Sequence, residues 1–299
     1  MVESPCKKVC EGQLVGQCCG VPGAAAGGPP PVAAWDAQRD WYVKHMSPAT
    51  ALLAHSLFIH LGLFDRQRHD GSDSKLKVLE THCGNGLAAS RILPFAAVAS
   101  YTACDFSPAM LAAAADCLSG KAEVMLADST SLPFASGTFD RYMSNLGCCC
   151  VTDLDAKLQE ARRVLAPGGV AAMSMRIADF PGDTAFHLVA ETLRPFGMPP
   201  GPQREGLVLG RDIPKLKAKL LHAGFKEVTA WRSWVTVPLG ADANSFQSWA
   251  TSTAPVAKFL AGLTQDNRAD CMQALERAGE EPNQAGAVFV AVAVVVATV

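Results

Sequence analysis

From residue 75 onward, short apolar runs alternate with longer stretches of helical period. KLKVLE (75–80), ASYTACDF (99–106), AEVMLAD (122–128), FDRYMSNLG (139–147, a strand and its exit loop) and VAAMSMRI (170–177) read as strands. LAASRILPF (87–95), PAMLAAAADCL (108–118) and LDAKLQEARRVLA (154–166) read as helices, the last closed by Pro167-Gly168-Gly169. This alternation predicts a parallel sheet with helices on both faces, and a ligand at the carboxyl ends of the strands near the switch point. Upstream, residues 35–64 read as helical, with Ser47 as a cap and Pro48 in the first turn of a helix whose Leu52, Leu53, Ser56, Leu57 and His60 share one face. RQRHDGSDSK (66–75) reads as a polar loop. Downstream come a helix over 183–194, a Pro/Gly-rich loop over 195–206 and an amphipathic stretch over 211–225. KEVTAWRSWVTVPL (226–239) and AVFVAVAVVVATV (287–299) suit an antiparallel pair at the sheet edge, with a helical lid over 243–279 between them.

Composition changes this picture little. The 299 residues are 49% apolar and 18% charged, and the net charge of −2 gives no electrostatic case for a nucleic-acid partner. The final apolar run is too short to span a bilayer as a helix, and its β-branched content points to a buried strand, so no membrane span is expected. Residues 1–20 lack the apolar core of a secretory signal. The 11 cysteines are odd in number and several lie inside apolar segments, which suits free thiols in a reducing, cytoplasmic setting. Residues 1–34, rich in Cys, Gly, Ala and Pro, read as a disordered leader, and 35–299 as one domain with 243–279 as a lid insertion. The spacing of Cys6, Cys10, Cys18 and Cys19 fits no tetrahedral zinc pattern, and no metal is expected.

Four features carry the chemistry, in chain order. In VLETHCGNG (78–86) a strand bearing Glu80 feeds a turn with Gly84 and Gly86, whose small backbone admits a ligand close to the amides of the following helix. Such a turn also serves sterics alone. Asp105 ends the next strand in YTACDFSPAML, where a carboxylate can accept from both hydroxyls of a ribose; it can equally cap the helix that follows. In ADSTSLPF (127–134), Asp128 can accept from an exocyclic amine or merely close a turn. Asn145, Leu146 and Gly147 leave the fourth strand at the same rim. A dinucleotide-dehydrogenase loop is disfavoured, because position 89 is alanine and His82 stands where its first glycine belongs.

With LQEARRVLAPGGV, these motifs in this order resemble the class I S-adenosylmethionine-dependent methyltransferases, in particular the small-molecule group that includes the ubiquinone/menaquinone methyltransferases. The resemblance covers residues 75–180 by motif. It implies an α/β fold, a Rossmann-like seven-stranded, mostly parallel sheet with helices on both faces, an antiparallel final strand and a helical lid. It implies S-adenosyl-L-methionine as cofactor and S-adenosyl-L-homocysteine as product. Glu80 would support the loop and meet the amino group of the methionine moiety, and Thr81, His82, Cys83, Gly84 and Gly86 would wrap that moiety. Asp105 would hold the ribose, with Phe106 and Met110 beside the adenine. Asp128 would receive the adenine amine, flanked by Ala127 and Ser129. Asn145 and Leu146 would lie near the sulfonium. His82 departs from the family's glycine. Either it keeps the loop and points away from or toward the carboxylate end of the cofactor, or it distorts the loop and weakens binding.

Direct methyl transfer to a small-molecule acceptor is the expected activity. A carboxylate, amine or thiolate acceptor needs no strong base, whereas a phenol or carbon acid does. Tyr42, His45 and His187 are the candidate catalytic groups, and Trp35 and Trp249 lie in segments expected to face the acceptor. Cys148, Cys149 and Cys150 follow the predicted transfer point; they suit a soft acceptor of the arsenite type, or simply pack a loop. A non-catalytic cofactor-binding or partner protein is the other class, motivated by His82.

Overall fold

The computed structural model describes residues 32–64, 76–240 and 244–299. The expected leader, apart from its last three positions, lies outside the described residues, as do its four cysteines and the loop at 66–75. Helix α1 (Val32–His45) begins before the expected domain boundary at 35. Helix α2 (Ser47–His60) follows after a single residue. Met46, not Ser47, occupies the cap position of α2, because its backbone is still right-handed helical and carries the chain directly from one helix into the next. Ser47 is therefore inside the helix, and its hydroxyl donates instead to Asn85 Oδ1 at 2.7 Å.

Seven strands form one sheet: β1 (Leu76–Thr81), β2 (Val98–Asp105), β3 (Glu123–Leu126), β4 (Phe139–Ser144), β5 (Leu165–Arg176), β6 (Val228–Pro238) and β7 (Ala287–Thr298). Their order is β3-β2-β1-β4-β5-β7-β6. Pairing is parallel from β3 to β5 and antiparallel where β7 enters between β5 and β6. The switch point thus lies between β1 and β4, where a ligand cleft is expected in a doubly wound sheet. The intervening helices are α3 (Leu87–Ile92), α4 (Pro108–Cys117) and α5 (Leu154–Val164). β7 has neighbours on both sides, which accounts for its unbroken apolar run. Edge strand β6 instead alternates buried and open positions along much of its length.

One boundary differs from expectation. Helix α5 ends at Val164, and Leu165, Ala166 and Pro167-Gly168-Gly169 belong to β5 rather than to a helix and its closing turn. Leu165 is extended and pairs with Phe139, and Ala166 precedes a proline, which disfavours helical backbone there. The Gly168 amide donates to the Val299 carbonyl at 3.2 Å and the Val299 amide to Gly169 at 3.1 Å, so this segment fastens the end of the chain.

The second half adds α6 (Phe186–Leu193), short α7 (Glu205–Val208) and α8 (Ile213–His222). The expected lid is α9 (Ser245–Ser252), α10 (Ala254–Ala261) and α11 (Gln265–Ala278), followed by α12 (Glu280–Ala285). Helix α1 lies across the strand ends. Trp41 Nε1 donates to Ser252 Oγ in α9 at 2.7 Å, and Asp36 Oδ1 accepts from Ser107 Oγ at 2.6 Å and the Ala109 amide at 3.3 Å in α4. Among the described residues, the seven cysteines are free thiols, and no helix is long and apolar enough to cross a membrane.

Candidate cofactor and acceptor site

Beyond Thr81 the chain turns through three left-handed residues, His82 (φ 59°), Gly84 (φ 56°) and Gly86 (φ 71°). His82 therefore adopts the backbone that a glycine would, at a cost of about 1–2 kcal/mol for a residue with a Cβ. Its surroundings hold it there. Lys157 Nζ, fully buried, donates to His82 Nδ1 at 3.3 Å, and the imidazole meets Phe106 edge-on at 6.0 Å. Gly147 leaves room for the ring, since a Cβ there would stand 2.6 Å from Nδ1. Burial, with the Lys157 charge, holds the His82 pKa well below its ordinary value, so the ring is neutral and accepts from the ammonium.

The other loop residues divide by role. Gly84 lines the cleft and donates its amide to Asp105 Oδ2 at 2.9 Å. Gly86 answers to packing, because a Cβ would lie 2.9 Å from Leu118. Thr81 Oγ1 lies 2.8 Å from Tyr142 Oη and 3.4 Å from Lys157 Nζ, behind the loop. Buried Cys83 donates its amide to the Cys104 carbonyl, and burial pushes its thiol pKa up. Glu80 is 2% exposed and accepts from Tyr101 Oη at 2.7 Å. Burial pushes its carboxyl up to about 8, so it is protonated at neutral pH.

Asp105 accepts from the Ser107 amide on Oδ1 at 3.0 Å as well as from Gly84 on Oδ2. Ser107, not Asp105, caps α4, its hydroxyl accepting from the Met110 amide at 3.1 Å. Each Asp105 oxygen keeps further acceptor capacity, and the residue lines the cleft. Asn145 Oδ1 accepts from Ser174 Oγ at 2.8 Å and its Nδ2 donates to the Thr50 carbonyl at 2.9 Å, so it ties the β4 exit to β5 and α2. Leu146 is left-handed (φ 54°), its amide held by Ser174 Oγ at 2.8 Å.

These residues border a cavity of about 250 Å³ under α1, where Trp35, Tyr42, Gly84, Asp105, Phe106 and Met110 meet His82, Asn145 and Leu146. A recess of about 30 Å³ behind it is lined by Glu80, His82, Cys83, Gly84 and Asn85. Thr81, Gly86, Ala127, Asp128 and Ser129 line neither space. Asp128 is exposed, and its Oδ1 accepts from the amide and hydroxyl of Thr130, both at 2.8 Å, which is the turn-closing geometry.

A larger chamber of about 520 Å³ adjoins the first cavity and shares Arg176, Phe186, Thr253 and Pro255 with it. Its walls come from the 198–202 loop, α6, α9 and α10. His187 and Trp249 face it. Tyr42 lies in the first cavity, its Oη 3.3 Å from Thr50 Oγ1, and burial pushes its phenol up to about 12. His45 lines neither space and packs on Trp41 with ring centres 5.6 Å apart.

The structure adds residues that sequence reasoning missed. Arg176, at the carboxyl end of β5, stands between the two spaces, and Arg204 lines the first. The signal for Arg176 was a charge closing an otherwise apolar strand. Cys149 and Cys150 also line the first cavity, whereas Cys148 is buried elsewhere in the core. The Cys150 hydrogen bond and the charges of Arg176 and Arg204 lower the Cys149 pKa, and the Cys150 thiol is raised in turn. Among the described residues, no three His, Cys, Asp or Glu side chains are grouped to hold a metal ion.

Residues 79–173 match the family described as "Methyltransferase domain". Over 98 residues the chain is 38% identical to the ubiquinone/menaquinone biosynthesis C-methyltransferase UbiE of Cereibacter sphaeroides, covering 31% of this chain and 39% of that protein. Over 160 residues it is 31% identical to the malonyl-[acyl-carrier protein] O-methyltransferase of Geobacter sulfurreducens, covering 51% of this chain and 56% of that protein. The aligned part thus spans little more than half, or less, of these relatives. Among solved structures, the YcgJ protein of Bacillus subtilis superposes with a TM-score of 0.52 at 16% identity, over 82% of this chain and 98% of its own. The [4+2]-cyclase SpnF superposes at 0.51 with 18% identity, over 91% and 98%. At such identities the likeness is one of fold.

Proposed function

We propose that this chain, which carries a class I S-adenosylmethionine-dependent methyltransferase domain and belongs to that family, transfers the methyl group of S-adenosylmethionine to a small-molecule acceptor. The observation that carries this reading is the pair of adjoining spaces at the switch point. One is edged by loop backbone and Asp105, the other walled by apolar side chains.

The residues present fit the cofactor. Asp105 lines the cleft with acceptor capacity left on its carboxylate, and Trp35 Nε1 is buried there without a partner. S-adenosylmethionine, when bound, supplies an electrophilic sulfonium methyl, so the protein's task is alignment and exclusion of water. Asp105 receives the ribose hydroxyls, and Phe106 and Met110 flank the base. Gly84 and His82 bound the methionine end, with Glu80 behind them to meet its amino group. Asn145, locked between Ser174 and Thr50, fixes the β4 exit, so Leu146 faces the point where acceptor and methyl meet. Thr81 and Gly86 hold the loop from behind. Ala127, Asp128 and Ser129 stay outside this assignment, because the cavity does not reach them.

The acceptor is one that gives up no difficult proton. Tyr42, pushed up to about 12, is a poor base at neutral pH, and His45 is out of reach. His187 faces the acceptor chamber and is the candidate that remains. A second reading rests on Cys149 and Cys150: their place in the first cavity suits a thiophilic acceptor of the arsenite type.

Calorimetric titration of S-adenosylmethionine and S-adenosylhomocysteine into the wild-type chain, beside Asp105→Ala, tests the reading. Micromolar binding that the substitution removes supports it. Absence of binding by either ligand overturns it in favour of a non-catalytic relative. Arsenite binding that Cys149→Ser abolishes would favour the second reading.

A further inference from the structure

The acceptor chamber is apolar, yet three polar groups face it without protein partners. His187 Nδ1 and Trp249 Nε1 are buried and make no hydrogen bond. The Arg176 guanidinium forms no hydrogen bond or ion pair with a described residue, and lies over the Phe186 ring, 4.7 Å from its centre. The neighbouring carboxylates are engaged elsewhere. Asp179 accepts from Gln203 Nε2 at 2.7 Å and Arg211 at 3.1 Å. Asp183 accepts from the backbone amides of Ala185, Phe186, His187 and Ala291. Asp183 and the Cys149 thiol both feel the Arg176 charge, but neither forms a hydrogen bond or ion pair with its guanidinium. Lys258 adds a second positive charge on the exposed side of the same chamber.

A half-buried cation with no carboxylate paired to it, beside two orphaned polar atoms, is an unfinished site, since buried polar groups are almost always hydrogen-bonded. The missing partner must supply several acceptor lone pairs and negative charge, and an Arg fork favours a planar or tetrahedral oxyanion. The rest of the wall, with Val189, Met198, Val256 and Phe259, asks for an apolar body. We propose that the chamber binds an amphipathic anion, whose carboxylate or phosphate docks on Arg176 between the two spaces and whose apolar body fills the chamber against Trp249. This rests on the methyltransferase reading only in naming the anion as the acceptor; the binding itself does not require it. A carboxylate so placed would stand beside the transfer point already ionised. It would need no base, which matches the poor base offered by Tyr42.

The test uses four probes of one chain length, octanoate, octyl phosphate, octan-1-ol and octylamine, titrated by calorimetry into the full chain with and without S-adenosylhomocysteine. At least one anion is expected to bind tenfold or more tighter than the alcohol, with octylamine the weakest; which anion wins assigns the headgroup. Arg176→Gln is expected to bring the anion down to the level of the alcohol, whereas Arg176→Lys, which keeps the charge, retains more of the affinity. Thermal melts of both variants report folding. Equal binding of alcohol and anion, no binding of any probe, or an Arg176→Gln variant that melts as wild type and binds the anion within twofold would each overturn the proposal. If S-adenosylhomocysteine fails to bind while octanoate still does, the methyltransferase reading falls and the anion site stands.

Discussion

The cleft at the ends of β1, β2 and β4 and the chamber beneath α6, α9 and α10 share a wall, yet they are built in opposite ways. In the cleft almost every polar group is already engaged. Gly84 and Ser107 hold Asp105, Lys157 holds His82, and Ser174 and Thr50 hold Asn145. In the chamber, Arg176, His187 Nδ1 and Trp249 Nε1 are without hydrogen-bond partners and most of the remaining wall is apolar. A pre-bonded cleft presents one fixed geometry to one ligand, which suits a cofactor held in common across a family. A chamber that leaves polar atoms open takes its specificity from the ligand that completes them, which suits the part of an enzyme that changes with its substrate.

The largest effect that separates the two falls on Asp105. Asp105→Ala removes an acceptor for two loop amides along with the ribose contact. It is expected to weaken S-adenosylhomocysteine by about 10- to 100-fold, or about 1.4–2.8 kcal/mol, while octanoate affinity stays within about twofold. Calorimetry reads both. Loss of both together would mean that cleft and chamber are one energetic unit.

A smaller effect should appear at Glu80. Its carboxyl is protonated below about 8 in the free protein because it is buried. A cationic amino group beside it would favour the ionised form. Binding of S-adenosylmethionine at pH 7 should then release close to one proton, and affinity should rise severalfold between pH 7 and 8 before levelling off. The heat of binding in two buffers of different ionisation enthalpy measures the release, and Glu80→Gln should abolish it. The same raised pKa has the opposite consequence for the empty protein. Its stabilising contribution is complete below the unfolded value near 4.5 and is lost as the pH climbs through about 8. No proton release in the wild type would place the amino group away from Glu80.

The contrast between the two regions also explains what the sequence could disclose. Strands β1 to β5 and the loop after β1 follow from local periodicity, and Glu80, Gly84 and Asp105 sit one strand–helix–strand apart, so spacing alone brings them to one rim. The local errors have local causes. The residue before Pro167 is disfavoured from helical backbone, and Met46 keeps helical backbone where a cap at Ser47 was expected. Apart from these boundary shifts, Asp128 follows β3 where motif order places it, and its carboxylate accepts from Thr130. The chamber is another matter. Arg176, His187, Met198 and Trp249 come from four separate segments, and no spacing rule joins them. Only the packing of α6, α9 and α10 onto the sheet does.

The finest distinction concerns His82, where side chain and backbone can be parted. Left-handed backbone costs a residue with a Cβ about 1–2 kcal/mol, which His82→Gly would recover. The same change removes the Lys157 hydrogen bond and the Phe106 contact, leaving a fully buried ammonium with Thr81 and Tyr142. These effects oppose each other, so His82→Gly should shift stability by no more than about 1 kcal/mol, whereas His82→Val, β-branched and held at the same φ, should lose clearly more. The variant should also alter the acid limb. A neutral imidazole with a lowered pKa contributes stability that is present above the unfolded value of 6.5 and lost as the pH falls below it, so His82→Gly should flatten that loss. If the cleft is built from backbone, S-adenosylhomocysteine affinity should stay within about threefold of wild type. A tenfold loss in a variant that melts normally would make the imidazole a ligand in its own right. The cleft would then share with the chamber a dependence on one unusual side chain.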